Sequence, residues 1–455
     1  MDIDRRKLLM GAAAASVAAG TTSCASPVEP LRPGSKVVVI GAGFAGIGAA
    51  ELLLEAGFDV EVVEARDRVG GRAHTVSLGG FPADLGANWL RKGNSELLPI
   101  ARKLGLVDSS TNLQVPTAVQ RGKFIPVDIA SIEAELEAPL AAPYLWHQTQ
   151  MFLGGRPRAR SISDLIGNSL DPTTASGCVG RRLMVGSSAA DLDDLSGDVL
   201  IGPSGGDSTA DLIEPTVVGG MQSLLQALIQ RSKPILNESV SAVIRTSAGV
   251  QIKTNRRDIA ADAVIVTASI GVLKSGAIDF QPGLPKRHTD ALAGMEMGSF
   301  VKLWVRYPEA SWDLPSDAMV FCDSPDVHFL VDFAKSHGNP VLLGAVGGKR
   351  GLALESLSDD EAREFFHDYL QSQLGVALPA PEGFYINRWG KDPLAGGAYM
   401  YPNPQFRAHD NKQLREPIAG RILLAGEALA DTIGYVDTAW SDGRRAASHL
   451  ITGRG

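Results

Sequence analysis

Cysteine is scarce in this chain. Only Cys24, Cys178 and Cys322 occur among 455 residues, too few for a disulfide framework, and no CxxC pair suggests zinc. The eight histidines are scattered, with neither HxH nor HxxxH spacing, so no metal-ligand constellation is predicted. Basic charge is not in excess either. With 43 Lys+Arg against 51 Asp+Glu the formal net charge is −8, which argues against generic binding to nucleic-acid phosphates. The small, apolar run Leu8–Gly20 stops short of the roughly 20 residues that cross a bilayer. Charged residues at 21% and hydrophobic ones at 44% exclude disorder and describe a globular chain. Glycine alone is abundant: 50 residues, above the usual ~7%, so the backbone must turn tightly or approach something closely.

The first 33 residues read as a leader outside the fold. Arg5-Arg6-Lys7 precedes the Leu8–Gly20 run, and Thr21–Ser26 follows. This resembles a twin-arginine export signal, a route for proteins that fold before export. The expected location is therefore periplasmic or cell-envelope, with Cys24 a possible lipid-anchored residue. Beyond the leader, about 150 residues per domain predicts two to three domains.

Strong patterning begins at Val37-Val38-Val39-Ile40, a continuous β-branched run that reads as a strand buried on both faces. Gly41-Ala42-Gly43-Phe44-Ala45-Gly46 opens a helix, and a second strand follows at Val60–Val63. This is a βαβ unit carrying a GxGxxG turn. Gly41 permits the turn, Gly43 lets backbone approach a pyrophosphate, and Gly46 allows close helix packing. The helix N-terminus, with Phe44 and Ala45, offers free N–H groups to phosphates. Glu64 ends the second strand, 23 residues after Gly41, where it can accept ribose hydroxyls and disfavours a 2′-phosphate. Further along, Met221, Leu224, Leu225 and Leu228 have helical spacing, and strands are predicted at Val240–Ile244, Val250–Thr254 and Ala263–Thr267. Ser358-x-x-Glu361 reads as a capping box. Helical patches at Leu97–Leu104 and Ile132–Leu140 interrupt an irregular middle.

Several motifs in register point further. Glu64-Ala65-Arg66-Asp67-Arg68-Val69-Gly70-Gly71-Arg72, Asp84-Leu85-Gly86-Ala87-Asn88-Trp89, Val218-Gly219-Gly220-Met221 and Leu423-Leu424-Ala425-Gly426-Glu427 together resemble the FAD-dependent amine oxidase superfamily. The resemblance runs from about residue 36 to 450. It implies FAD, with Ala65, Arg66, Gly71, Arg72, Gly86, Ala87, Asn88, Trp89, Val240, Thr267, Trp389, Gly426, Glu427 and Val436 along the cofactor. It also implies an aromatic cage: Trp389–Tyr399 and Gly434–Ala439 look like the segments bearing its two tyrosines, here Tyr399 and Tyr435. Met297–Lys302 resembles the segment carrying the active-site lysine, and a lysine among Val301, Leu303 and Val305 is easily desolvated. In monoamine oxidases a cysteine that bonds the flavin precedes the first cage tyrosine. Ala398 stands there, so FAD is expected to be non-covalent.

The expected architecture is α/β: a Rossmann-like, doubly wound FAD-binding domain from 34–95, 210–285 and 390–455, with a discontinuous substrate-binding domain from 96–209 and 286–389. The expected reaction is oxidative deamination of a small amine with O2 as acceptor. Neither nucleic acid nor a stable membrane span is expected, and the sequence leaves the oligomeric state open. Where polyamine oxidases carry a histidine two residues after the Gly-Ala-Asn-Trp tryptophan, this chain has Arg91 followed by Lys92. These cations suggest a substrate bearing a carboxylate if they reach the site mouth, and nothing if they point to solvent. Monoamine, polyamine and amino-acid-like substrates all remain open. So do a flavin desaturase acting on C–C bonds and a non-catalytic FAD-fold protein that binds a partner.

Overall fold

Side chains alternate across a strand, so four consecutive apolar residues need cover on both sides. The strand Lys36–Ile40 has it: Val37 and Val39 face a cluster with Ile47, Leu53, Leu224 and Trp440, while Val38 and Ile40 face one with Val243, Ile252 and Phe280. The computed structural model describes residues 30–91, 95–108, 116–120, 123–201, 215–315, 318–322 and 324–453. The segment read as an export signal, Cys24 and Lys92 lie outside them. Among the described residues no helix is long and apolar enough to cross a membrane.

Lys36–Ile40 lies between parallel strands Asp59–Val63 and Ala263–Val266, and Ile422–Leu424 completes a four-stranded parallel sheet. Its strands come from three distant parts of the chain. Helices Phe44–Glu55 and Val436–Thr452 cover one face, crossing so closely that only glycine fits: a Cβ on Gly443 would lie 1.9 Å from the Ala45 carbonyl oxygen. The meander Val240–Arg245, Val250–Thr254 and Asp258–Ala261, with Asp279–Gln281 added in parallel, covers the other.

A second, mostly antiparallel sheet of seven strands holds Phe300–Arg306 between Gly383–Ile386 and Val341–Gly347, and continues through Phe329–Asp332 to Lys123–Pro126. It too is buried on both faces. Val301, Leu303 and Val305 pack with Tyr307, Leu342 and Phe366 on one side; Phe300 and Trp304 join Phe329, Leu343 and Trp389 on the other. Lys302 shares the parity of Phe300 and Trp304 and therefore their face.

Helix Met221–Leu228 buries Met221, Leu224, Leu225 and Leu228 as its spacing predicts. The Ser358/Glu361 capping box forms in full. The middle differs from expectation: the Ile132–Leu140 patch belongs to a 24-residue helix, Ile129–Phe152, that runs through Pro139 and Pro143. Its Asp128 cap and its buried Ile132, Leu136 and His147 hold it against the fold despite two missing N–H donors.

Candidate active site

The first βα turn is built on glycine contacts. Gly41 has φ +103° and its position would bring a Cβ within 2.5 Å of Thr267 Oγ1; a Cβ on Gly46 would lie 1.8 Å from the Gly41 carbonyl. The helix that starts there has Gly43 at its N-cap and no side-chain cap, which leaves its first N–H groups for an anion. These residues open into a cavity of about 400 Å³ lined by both sheets.

Nearly every residue singled out in the sequence lines that one cavity: Gly41, Gly43, Phe44, Ala45, Glu64, Ala65, Arg66, Gly71 and Arg72 from the N-terminal segment; Gly86, Ala87, Asn88 and Trp89; Val240, Thr267 and Trp389; Gly426, Glu427 and Val436; and Lys302, Tyr399 and Tyr435. Two do not. Gly46 sits behind the turn, against the Gly41 carbonyl, and serves packing alone. Arg91 is 5% exposed and is not among the residues that line the cavity: its guanidinium lies over the Tyr435 ring, 4.9 Å from the centroid, and its backbone N–H donates to Asp437. Of the two directions left open for Arg91, solvent is excluded by its burial, and the expected substrate contact gains no support from the cavity lining. A planar cation gains more by stacking on an aromatic ring beside a carboxylate than by entering an apolar cavity unpaired.

The dinucleotide end is polar and suits FAD. Both Glu64 oxygens already hold the turn, one accepting Ala42 N–H and the other Arg66 N–H, each at 2.8 Å; a carboxylate has further lone pairs for hydroxyl donors. Arg66 spends Nη1 on Asp392 at 2.8 Å, while its buried Nη2 has no partner. A buried, unsatisfied guanidinium nitrogen is costly unless an anion meets it, and beside a bare helix N-terminus it fits a pyrophosphate. Positive charge accumulates here: burial and the neighbouring Arg66 lower the pKa of Arg68, and burial with Arg68 lowers His74 to about 4.

Toward the tyrosines, Arg72 Nη1 donates to the Ala398 carbonyl and to Glu427 Oε1, both at 2.9 Å. Glu427 in turn accepts Met400 N–H and Gly434 N–H. One ion pair thus fixes both tyrosine-bearing segments. A Cβ on Gly434 would sit 3.6 Å from Tyr399 Cδ2, so the backbone leading into Tyr435 lies on the Tyr399 ring. The Tyr399 hydroxyl donates to the Gly186 carbonyl, and burial drives its pKa well above the ordinary value. Tyr399 therefore stays a neutral phenol.

Lys302 is 2% exposed. Its Nζ donates to the carbonyls of Asp84 (3.2 Å) and Gly86 (2.5 Å) and lies 5.0 Å from the Trp89 ring centroid. Burial lowers its pKa to about 7, against the opposing charge of Asp84; burial raises Asp84 to about 6, against Thr75, Lys302 and Met221 N–H. Asp84 is a partner that sequence reasoning did not single out, although it opens a quoted motif. Phe300, Phe329, Leu183 and Met319 also line the cavity and were missed. The only available signal was the shared parity of Phe300 and Lys302.

The sequence model of the family described as flavin containing amine oxidoreductase matches residues 44–451. Polyamine oxidase 2 of Arabidopsis thaliana is 29% identical over 453 residues, covering 93% of this chain and 90% of that protein. Polyamine oxidase 4 of Oryza sativa subsp. japonica is 30% identical, covering 93% and 88%. Among solved structures, wild-type putrescine oxidase bound to putrescine superposes with a TM-score of 0.76 at 22% identity, over 92% of this chain and 99% of that one. Cyclohexylamine oxidase from Brevibacterium oxydans gives 0.75 at 23% identity, over the same shares.

Proposed function

The chain belongs to the flavin-containing amine oxidoreductase family and is an FAD-dependent amine oxidase; from that premise we propose that it deaminates its amine oxidatively with O2, through Lys302, Tyr399 and Tyr435. The observation that carries this reading is their convergence, in one cavity, with the glycine turn, Glu64, Arg66 and Arg72. Bound FAD supplies a two-electron acceptor that takes hydride from the amine carbon and passes the electrons to O2.

The chain does the rest. Tyr399 and Tyr435 form an aromatic cage whose ring faces attract and orient the amine. The apolar wall around them favours the uncharged amine, the form that can lose hydride. The Arg72–Glu427 pair holds the two rings at a fixed separation. Lys302 Nζ, poised near neutrality, holds a water at the reacting face and exchanges a proton with it. Ala398 stands where a flavin-linking cysteine would be and no cysteine is among the described lining residues, which supports FAD held non-covalently by Glu64, Arg66 and the helix N-terminus. Acid precipitation should therefore give a colourless pellet and a yellow supernatant.

Anaerobic mixing of purified holoenzyme with a panel of amines tests the reaction: bleaching of the flavin absorbance, then H2O2 on admitting air, is expected. A yellow protein that no amine bleaches would overturn it. We further propose export by the twin-arginine route; replacing Arg5 and Arg6 by lysine should trap the precursor inside the cell, and unchanged export would refute this.

A further inference from the structure

The cavity beyond the tyrosines is walled by hydrocarbon. Phe300 packs on Tyr399, with ring centroids 5.9 Å apart, and on Phe329 at 6.4 Å. Gly186, whose carbonyl receives the Tyr399 hydroxyl, leaves room between those two phenyl rings: a Cβ there would lie 3.7 Å from Phe329 and 3.9 Å from Phe300. Leu183, one turn earlier on the same helix, and Met319 line the cavity too.

Charge in this chamber is already committed. Glu427 is the carboxylate that approaches the tyrosines, and it is neutralised by Arg72 while accepting two backbone N–H groups. The other lining carboxylates are held elsewhere, Glu64 by the nucleotide turn and Glu238 by Arg257 and Thr254. Among the described lining residues, none presents an unengaged carboxylate to this end. On the cationic side, Lys302 donates to two carbonyls and Arg91 lies over Tyr435, outside the cavity.

We infer that the substrate is a monoamine with an apolar body and no carboxylate, and that Phe300, Phe329, Leu183 and Met319 set this choice. The inference rests on the amine-oxidation reading and narrows it. A diamine or polyamine entering amine-first would carry a second ammonium into the hydrocarbon chamber, and an α-amino acid would set a carboxylate on the amine-bearing carbon, against the tyrosines and Glu427. Either charge loses its water and gains no unengaged opposite charge among the described residues of the chamber wall.

Two matched pairs isolate the effect. n-Pentylamine and cadaverine differ only in the terminal amine, and phenethylamine and phenylalanine only in the carboxylate. With FAD-loaded enzyme, kcat/KM should favour the uncharged-bodied member of each pair by at least about 100-fold. Binding is read apart from turnover with α,α-dimethylphenethylamine and α-methylphenylalanine, which have no hydrogen on the amine carbon. Calorimetry should give Kd values differing by a similar factor. A carboxylate placed in the wall by Met319→Glu should narrow the pentylamine/cadaverine ratio, whereas Met319→Gln should not. Because each ratio is internal to one preparation, partial loss of folded variant does not disturb it. Cadaverine or phenylalanine oxidised as well as its partner, or equal Kd values, would overturn the inference while leaving amine oxidation standing. Failure of every amine to bleach the flavin would overturn both.

Discussion

Replacing Lys302 by methionine tests the chemistry at its most distinctive point. The lysine pKa falls from 10.5 to about 7 on burial. Burial thus favours the neutral amine by about 5 kcal/mol. The neutral amine, with a free lone pair on Nζ, becomes available near neutral pH and prevails at alkaline pH. Methionine has the volume and apolar stem of lysine but no titratable proton and no basic nitrogen, so the proposed FAD contacts at Glu64 and Arg66 should be untouched. Reoxidation by O2 of anaerobically reduced enzyme, followed by stopped flow from pH 6 to 9.5, should show an inflection near 7 in the wild type. In Lys302→Met it should be flat and slower by about 100-fold, the scale of a positioned acid–base group, with FAD affinity changed less than about fivefold. Since the Asp84 charge raises the lysine pKa, Asp84→Asn should move the inflection to lower pH. A Lys302→Met enzyme that reoxidises at the wild-type rate would refute the role.

The same lysine makes fold stability pH-dependent. Unfolded, it keeps its proton up to 10.5; folded, it releases it near 7. Stability therefore rises with pH across that window, by about 2 kcal/mol between pH 7 and 9. Urea titrations should show this gain in the wild type and not in Lys302→Met. Gly46→Ala should abolish FAD binding, because the added methyl meets the Gly41 carbonyl at 1.8 Å and the turn cannot yield; purification as a yellow protein would contradict this. Arg91→Met should free the Tyr435 ring by removing a cation–π contact of about 1 kcal/mol, lowering kcat/KM about fivefold. Arg91→Lys should restore part of that loss, and an unchanged kcat/KM in Arg91→Met would show that the ring is held without the cation.

Much of this protein is written locally. The Val37–Ile40 run, the glycine turn and Glu64 lie within one βαβ unit, where the backbone demands of a tight turn and a doubly covered strand leave few other residue choices. That is why the parallel strand, the helix it feeds and the lining of the dinucleotide end could be read along the chain, and why Met221–Leu228 and the Ser358 cap could too. The long helix through Pro139 and Pro143 could not be read this way, because burial of a few anchors outweighs a local breaker only once the neighbours are in place.

At the catalytic end the decisive facts are non-local. Arg72 meets Glu427, and Lys302 meets the Asp84 and Gly86 carbonyls, across more than 200 residues of chain. Arg91 shows the limit most plainly. Its position beside the motif left a substrate contact and a solvent-facing cation both open, and sequence carries no term for choosing between such directions. Tertiary packing supplies that term: an aromatic face and the Asp437 carboxylate on one side, an apolar chamber on the other. The residue types thus determined that an amine oxidase with FAD would form, whereas only the folded arrangement decided which charged groups line the cavity.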